Sequence, residues 1–312
     1  DDVESRGLGD VYKRQDIMLS FKPIELSDIN TFKHYIGSNE EFSCESAFIN
    51  LLVWQEAYAN MWAESDGQLV ISSGTEKNQV FRLPFGNDFH KGISLIREYS
   101  KEEYPRFWVQ DGKRLDELEE YLGRDYILKE ERDAFDYIYL RENLAELKGK
   151  KYHSKRNHIS SFSKKYDWRY KPITKENKED ILLCAEQWYF ENKDREDRHL
   201  QCEKRGVETV LENMELLGAR GGAIYVQDRA VAFTVGSPIN EKVYDIHFEK
   251  ALDDYGEAYT VINREFAENE LSDYMYINRE DDMGLEGLRK AKLSYKPDIL
   301  LKKYTCLPRN MI

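Results

Sequence analysis

Positive charge is in short supply here: 46 Lys and Arg stand against 59 Asp and Glu, a formal net charge of −13 over 312 residues. That balance argues against a dedicated nucleic-acid coat protein, although a local basic patch is compatible with it. Cysteine is scarce as well. Cys44, Cys184, Cys202 and Cys306 are scattered and form no CxxC pair, which reads as reduced thiols of a cytoplasmic protein and indicates no metal site. No segment approaches the roughly 20 consecutive apolar residues that a membrane helix requires, so membrane contact is expected to be peripheral at most.

What remains is enough for real cores. The chain is 41% hydrophobic and 13% aromatic, with 21 tyrosines that supply apolar area plus a hydroxyl able to reach a polar partner. Its length suits two domains better than one. Residues 1–17, DDVESRGLGDVYKRQDI, carry eight charged side chains and no apolar stretch. They are not a signal peptide and read as a non-native or disordered leader, with Met18 as the natural start.

From Trp168 onward the pattern is clear. WRYKPIT is a strand, 177–192 a helix with Ile181, Leu182, Ala185, Trp188 and Tyr189 on one stripe, and 206–217 a second helix ended by Gly218. GGAIYVQDRAVAFTVGSPI is a hairpin turning at Gln227-Asp228-Arg229. KVYDIHFEKA is a strand, 258–271 a helix, YMYIN a strand, 284–293 a helix and DILLKKYTCL the last strand. The order β-α-α-β-β-β-α-β-α-β is that of the GNAT acyltransferase fold.

The first half repeats this order more weakly: FKPIEL, helices 27–36 and 46–58, QLVISSG, QVFRLPF, helix 89–99, RFWVQD, helix 113–122, FDYIYL. The expectation is an α+β protein of two tandem GNAT-like domains, each a splayed mixed sheet flanked by helices. The first, 18–145, is structural. The second, 168–312, carries the candidate site, and a basic helix at 146–167 bridges them.

That basic segment, residues 147–171, holds nine Lys or Arg against one acid, Asp167. Its apolar members Tyr152, Ile159, Phe162 and Tyr166 keep a helical stripe, and the spacing points Arg156 inward. Lys151, Lys155, Arg156 and Lys164, interleaved with Tyr152, His153, His158 and Tyr166, form a candidate tRNA contact. A solvated helix face offsetting the acidic remainder is the plainer reading.

The densest polar stretch is NREDDMGLEGLRKAKLSYKP, residues 278–297. A strand runs into Glu280-Asp281-Asp282, and a helix then carries Arg289, Lys290 and Lys292. Carboxylates at a strand's C-terminal end with cations a turn or two later can hold a polar substrate. Asp281 and Asp282 are the candidates to bind an ammonium and accept its proton. Asn278, Glu280, Asp245, Arg156, Arg289 and Lys292 are candidate substrate contacts. The alternative for Lys292 is a stem passing the core. His247 lies in YDIHFEK, where strict alternation puts it on one face with Asp245 and Glu249; it is a candidate base, with a structural histidine as the alternative. Tyr295 is a candidate acid, with core packing as the alternative. Trp54, Trp188 and Tyr189 read as core or crevice wall. The EDRH segment at 196–199 has no ligand spacing for a metal.

GLEGLRKAKLSYKPDILLKKY resembles the end of the C-terminal domain of bacterial phosphatidylglycerol lysyltransferases. KGKKYHSKRNHI followed by NREDDMGLEGLRKAK resembles the soluble proteins grouped with that domain as domain-of-unknown-function family 2156. The resemblance runs from Phe21 to Leu307. It implies a tandem GNAT fold shared with Fem-type aminoacyltransferases, which move an amino acid from aminoacyl-tRNA to an amine or hydroxyl. It also implies a base in the strand of His247 and an acid near Tyr295. GNAT proteins cradle acyl-CoA pyrophosphate in a [QR]xxGx[GA] loop before the third helix. The corresponding ALDDYGEAYT has one glycine and the carboxylates Asp253, Asp254 and Glu257, which repel a pyrophosphate. Aminoacyl-tRNA is therefore the expected donor and acyl-CoA the less favoured one, with a small polar acceptor. The rival expectations are a non-catalytic holder of a cationic metabolite or peptide end, and an acyl-CoA-dependent N-acetyltransferase.

Overall fold

The computed structural model describes residues 19–37, 41–75, 77–193 and 198–309. The leader, Met18, and Glu196 and Asp197 of the EDRH segment lie outside the described residues. The chain forms two compact units that are not consecutive in sequence. One draws on residues up to Tyr35, on Tyr58–Glu130 and on Lys303 onward; the other on Ile36–Ala57 and Glu131–Lys302.

The first unit's sheet contains β1 (Met61–Ser65), β2 (Gln68–Ser73), β3 (Val80–Arg82), β4 (Phe85–Gly86), β5 (Phe107–Gln110) and β6 (Tyr126–Glu130). Only β3 and β5 run parallel, joined through the helix Phe89–Ser100. The second unit's sheet contains β7 (Asp136–Leu140), β8 (Trp168–Pro172), β9 (Arg220–Val226), β10 (Arg229–Pro238), β11 (Val243–Ala251), β12 (Tyr276–Asn278) and β13 (Ile299–Leu301). Here only β11 and β12 run parallel, joined through the helix Ala258–Asn269. Both are mixed sheets flanked by helices, with a meander, a crossover helix and one parallel pair. The duplicated layout expected from the sequence is present.

The last strands are exchanged. FDYIYL does not complete the first unit: β7 lies between β12 and β13 of the second. DILLKKYTCL breaks at Lys302, and its second part, β14 (Lys303–Pro308), lies between β5 and β6 of the first unit. The expected boundary at 145–168 therefore runs through the second unit. The helix His153–Lys165, expected to bridge two domains, belongs to the second unit and packs on the helix Ala258–Asn269.

Several local expectations change too. FKPIEL contributes one bridge, Lys22 to Trp62, rather than a strand. The expected helix at 46–58 breaks at Trp54 into Phe48–Val53 and Gln55–Tyr58. The expected helix at 206–217 begins earlier, as Arg198–Glu212, and breaks before Met214–Leu217. YILKE forms β6, which sequence reading passed over. Separate cores fill the units. Ile93, Ile96, Phe107, Val109 and Leu118 centre the first. Tyr137, Tyr139, Tyr152, Tyr244 and Phe266, with a patch around Phe162, Val231 and Val261, fill the second.

Candidate functional site

The second unit's parallel pair is short. β11 and β12 pair at Val243/Tyr276, Tyr244/Ile277 and Asp245/Asn278, and then part. β11 continues to Ala251 against β10 alone, while the chain beyond Asn278 turns onto β7, where Arg279 N–H donates to Tyr137 O at 3.0 Å. The opening this leaves in the ladder lies between residues 246–249 and residues 279–280, with His247–Glu280 and Glu249–Arg279 contacts across it.

A β-bulge decides what faces that opening. Across the ladder Val235 opposes Phe248 and Gly236 opposes Ile246, so His247 is the extra residue. A bulge shifts the alternation by one beyond it. Asp245 and His247 face one side of the sheet and Glu249 the other, so the face shared by all three that strict alternation implied does not exist. The side-chain contacts agree: His247 Nδ1 lies 3.5 Å from Asp245 Oδ2, while Glu249 bonds Arg279 and Asn263 of the helix Ala258–Asn269.

On the first face, His247 is held at both ring nitrogens, Nε2 by Ser237 Oγ at 2.8 Å and Nδ1 by Glu280 Oε1 at 3.3 Å. Asn50, from the helix Phe48–Val53, donates to Glu280 Oε1 at 2.8 Å and to Asp245 Oδ2 at 3.3 Å. Asn278 donates to Asp136 Oδ2 and to Phe42 O, and its own Oδ1 accepts the Glu280 N–H at 2.7 Å. Glu280 needs that support, because its φ of +56° is a left-handed conformation that costs a non-glycine residue free energy. The Glu280 side chain is 23% exposed, while those of Asp245 and His247 are buried. Asp245, His247 and Glu280 have the donor types and closeness of a metal site, but exposure confined to Glu280 suits an organic cation approaching from the opening equally well.

On the second face, Glu249 Oε1 accepts Arg279 Nη2 at 2.6 Å. Lys155 and Arg279 both lie over the Tyr295 ring, at 3.8 and 4.8 Å from its centroid. Burial pushes the Lys155 pKa down to about 8, with the Arg279 charge acting in the same direction. Burial raises the pKa of the Tyr295 phenol against the opposing Arg279 charge.

The segment singled out by sequence thus divides. Glu280, Asn278, Asp245 and His247 converge. Asp282 and Arg289 do not join them, because they are spent on each other. The buried Asp282 carboxylate accepts Arg289 Nε at 2.9 Å and Nη2 at 2.7 Å, Arg132 Nη1 at 3.2 Å, Tyr137 OH at 2.5 Å and the Gly284 N–H at 2.9 Å. Burial works against the charged form, but Arg289, Tyr137 and the Gly284 N–H outweigh it and hold the pKa at about 2. A carboxylate so fixed cannot accept a substrate proton near neutrality. Asp281 Oδ1 caps the Met283 N–H at 2.9 Å. Lys292 is buried, and its ammonium donates to the Arg279 and Asp281 carbonyls, so it braces the 279–281 loop rather than facing the opening.

The basic helix is corrected at two positions. Its inward stripe is buried Tyr152, Lys155 and Phe162 with half-buried Ile159 and Tyr166, at steps of three and four, so Lys155 takes the inward place expected of Arg156. Lys155 is therefore withdrawn from any nucleic acid. Arg156 is exposed and donates to the Leu147 and Gly149 carbonyls. Lys151 and Lys164 remain exposed. Of the aromatics expected to be core or wall, Tyr189 is buried and Trp188 stacks under Lys250 at 4.0 Å. Sequence reading missed Asn50, Ser237, Asp136, Asn263 and the inward Lys155. Asn50 carried a signal, being the one polar residue within the apolar helix FINLLV.

Two mixed sheets, each with one short parallel pair joined through a crossover helix, define the tandem GNAT-like class. Within it, the chain belongs to the family described as phosphatidylglycerol lysyltransferase, C-terminal, which matches residues 38–307. A conserved protein of unknown function from Bacteroides thetaiotaomicron is similar at 37% identity, over 94% of this chain and all of that one, with a TM-score of 0.86. L-PGS from Bacillus licheniformis shares the fold at 14% identity and a TM-score of 0.65, over 93% of both chains. An uncharacterized protein of Mycoplasmoides gallisepticum is 27% identical over 174 residues; the match spans 54% of this chain and 54% of that protein. Among the described residues no helix is long and apolar enough to cross a membrane.

Proposed function

We propose that this chain is an acyltransferase that moves an aminoacyl group from an activated ester, of the aminoacyl-tRNA kind, to the amine or hydroxyl of a small polar acceptor. The reaction is placed at the parted strands of the second unit. Family membership supports the transfer class. The observation that carries the site is Glu280: a partly exposed carboxylate in a strained backbone conformation, braced by Asn278, Asn50 and His247 where β11 and β12 separate. Strain retained by several supporting bonds is a mark of functional positions.

The chemistry asks little of the protein. An ammonium docked at Glu280, with the buried Asp245 charge behind it, loses a proton to Glu280. The resulting amine adds to the ester carbonyl, the ester C–O bond breaks, the nitrogen releases its second proton to solvent, and the departing alkoxide takes the proton held by Glu280. His247 and Asn50 are positioning residues that hold Glu280 at the opening. Acyl-CoA does not fit this chain's equivalent loop. Asp253 and Asp254 are exposed there, and Glu257 pairs with Lys165 at 3.1 Å at the start of the helix that would receive the pyrophosphate. Exposed Lys151 and Lys164 are the proposed phosphate contacts for a tRNA.

The test is label transfer from radiolabelled aminoacyl-tRNA to a panel of amines and polyols, using the full chain. Glu280→Gln is expected to slow transfer about 100-fold or more while leaving the melting temperature within a few degrees. Unchanged turnover rejects the assignment. One observation favours a second reading, a holder of a cationic ligand without chemistry: both nitrogens of the buried His247 are already engaged. Wild-type protein that binds amines through Glu280 yet never moves label would establish that reading.

A further inference from the structure

On the opposite face of the parted strands, the charges do not balance. Arg279 and Lys155 are both inward, over one tyrosine ring, and share a single carboxylate, Glu249. Glu249 is committed to Arg279 Nη2 and to Asn263 Nδ2 at 3.4 Å. Arg279 Nη1 is buried without a hydrogen-bond partner, and so is Asn263 Oδ1. Among the described residues, Lys155 makes no hydrogen bond or ion pair either; its ammonium meets only the Tyr295 ring, and the residue is 9% exposed. Two buried cations with one counter-charge are costly to hold, and a buried guanidinium N–H left unmet costs more. The bond to the Glu249 carboxylate fixes which end of the Asn263 amide is which, so the orphan atom there is an acceptor.

We propose that Lys155, Arg279 and Asn263 form a binding subsite for the carboxylate of a small amino-acid-like ligand. The carboxylate sits between the Lys155 ammonium and Arg279 Nη1, and an N–H of the ligand donates to Asn263 Oδ1. The charge deficit is one, which a carboxylate monoanion meets. The unmatched acceptor calls for a donor on the same molecule, which a bare inorganic anion lacks. The Tyr295 ring lies against both cations, which accounts for its burial without giving it an acid's role. The helix carrying Lys155 is rich in exposed cations, yet only this one is turned inward, at a stripe position where an apolar residue would pack at no electrostatic cost.

The measurement is ligand-induced thermal stabilisation and calorimetric titration of the full chain with glycine, N-acetylglycine, glycinamide, methyl phosphate and sodium chloride at matched ionic strength. Saturable stabilisation by glycine, by N-acetylglycine, or by both supports the subsite; preference between them tells a free amino acid from a peptide C-terminus. Lys155→Met, which replaces a buried ammonium by an apolar side chain of similar length and is expected to fold at least as well, should weaken that binding tenfold or more. Asn263→Leu should lower affinity while leaving carboxylate selectivity intact. Equal effects of chloride or glycinamide, preference for methyl phosphate, no saturable response up to about 50 mM (a Kd limit near 2 kcal/mol of binding), or unchanged affinity in Lys155→Met each overturn it. The readout needs no turnover, so the subsite and the transfer reaction stand or fall separately.

Discussion

At the scale of single residues, the acidic triplet holds three carboxylates in three different situations. Glu280 faces the opening, Asp281 closes a turn, and Asp282 is the anchor of the loop that presents them. Because Asp282 is buried among Arg289, Arg132 and Tyr137, Asp282→Ala removes the acceptor that two guanidinium groups and a phenol share. Among the described residues this leaves Arg289 only Asp133, and Arg132 only the Tyr137 hydroxyl, as hydrogen-bond partners. Arg132 and Arg289 stay 33% and 29% exposed, so water offsets part of the loss. A destabilisation of about 2 kcal/mol is expected, below the figure for fully buried pairs. The pH dependence follows from the sign of the shift. Asp282 titrates lower in the folded chain than the roughly 3.9 of a free Asp, so its contribution is complete above about pH 4 and is lost as pH falls toward about 2. Urea unfolding at pH 7 and at pH 2.5 should show the gap between wild type and Asp282→Asn shrinking at the lower pH. A gap that persists would assign the stability to packing rather than to charge.

At the scale of elements, the site is made by a bulge and by a helix stripe, and sequence reading fared differently with each. The strands and the crossover helix were legible, because apolar periodicity marks them; the residue at which β11 and β12 part is set by the ladder and was not legible. The bulge was not: YDIHFEK alternates well enough to pass for a regular strand, and no glycine within it warns of the extra residue. The signal lies across the ladder, at Gly236. A Cβ there would meet the Asp245 carbonyl oxygen at 2.1 Å and the Tyr244 ring at 2.6 Å, so β11 can approach only a glycine. Gly236→Ala must push β11 away, at about 1–3 kcal/mol for overpacking. It should also displace His247 from Ser237 and Glu280, and reduce transfer or ligand binding more than the lost stability explains. Equal losses in both would mean that the bulge does not set the site. The stripe of His153–Lys165 was misjudged because the interval from Tyr152 to Ile159 admits an inward position either three or four residues on. Lys155 and Arg156 both satisfy helical spacing, so periodicity does not choose between them, and the structure turns Lys155 inward.

At the scale of the whole molecule, composition and element order disclosed two tandem α+β units, but not which strand belongs to which. DILLKKYTCL contains neither glycine nor proline and carries apolar residues on both sides of the Lys302-Lys303 pair, so nothing local shows that it serves two sheets. Partner choice depends on pairing across more than 130 residues of sequence, which periodicity does not encode. The reciprocal exchange makes each unit depend on a strand from the other half of the chain: β7 sits between β12 and β13, and β14 between β5 and β6. A chain ended after Lys302 therefore loses an interior strand of the first unit, not an edge. Five residues of β6 and four of β5 lose their ladder partners together, and Cys306, fully buried in that core, is removed with them. The second unit keeps every strand of its own sheet. Hydrogen exchange should then show protection lost at Phe107–Gln110 and Tyr126–Glu130 but retained at Arg229–Pro238 and Val243–Ala251. A synthetic peptide of residues 303–312 supplied in trans should restore the lost protection by adding back the missing strand. Protection that survives the truncation in β5 and β6 would show that the two strands close on each other, and that the exchange is dispensable to the first unit.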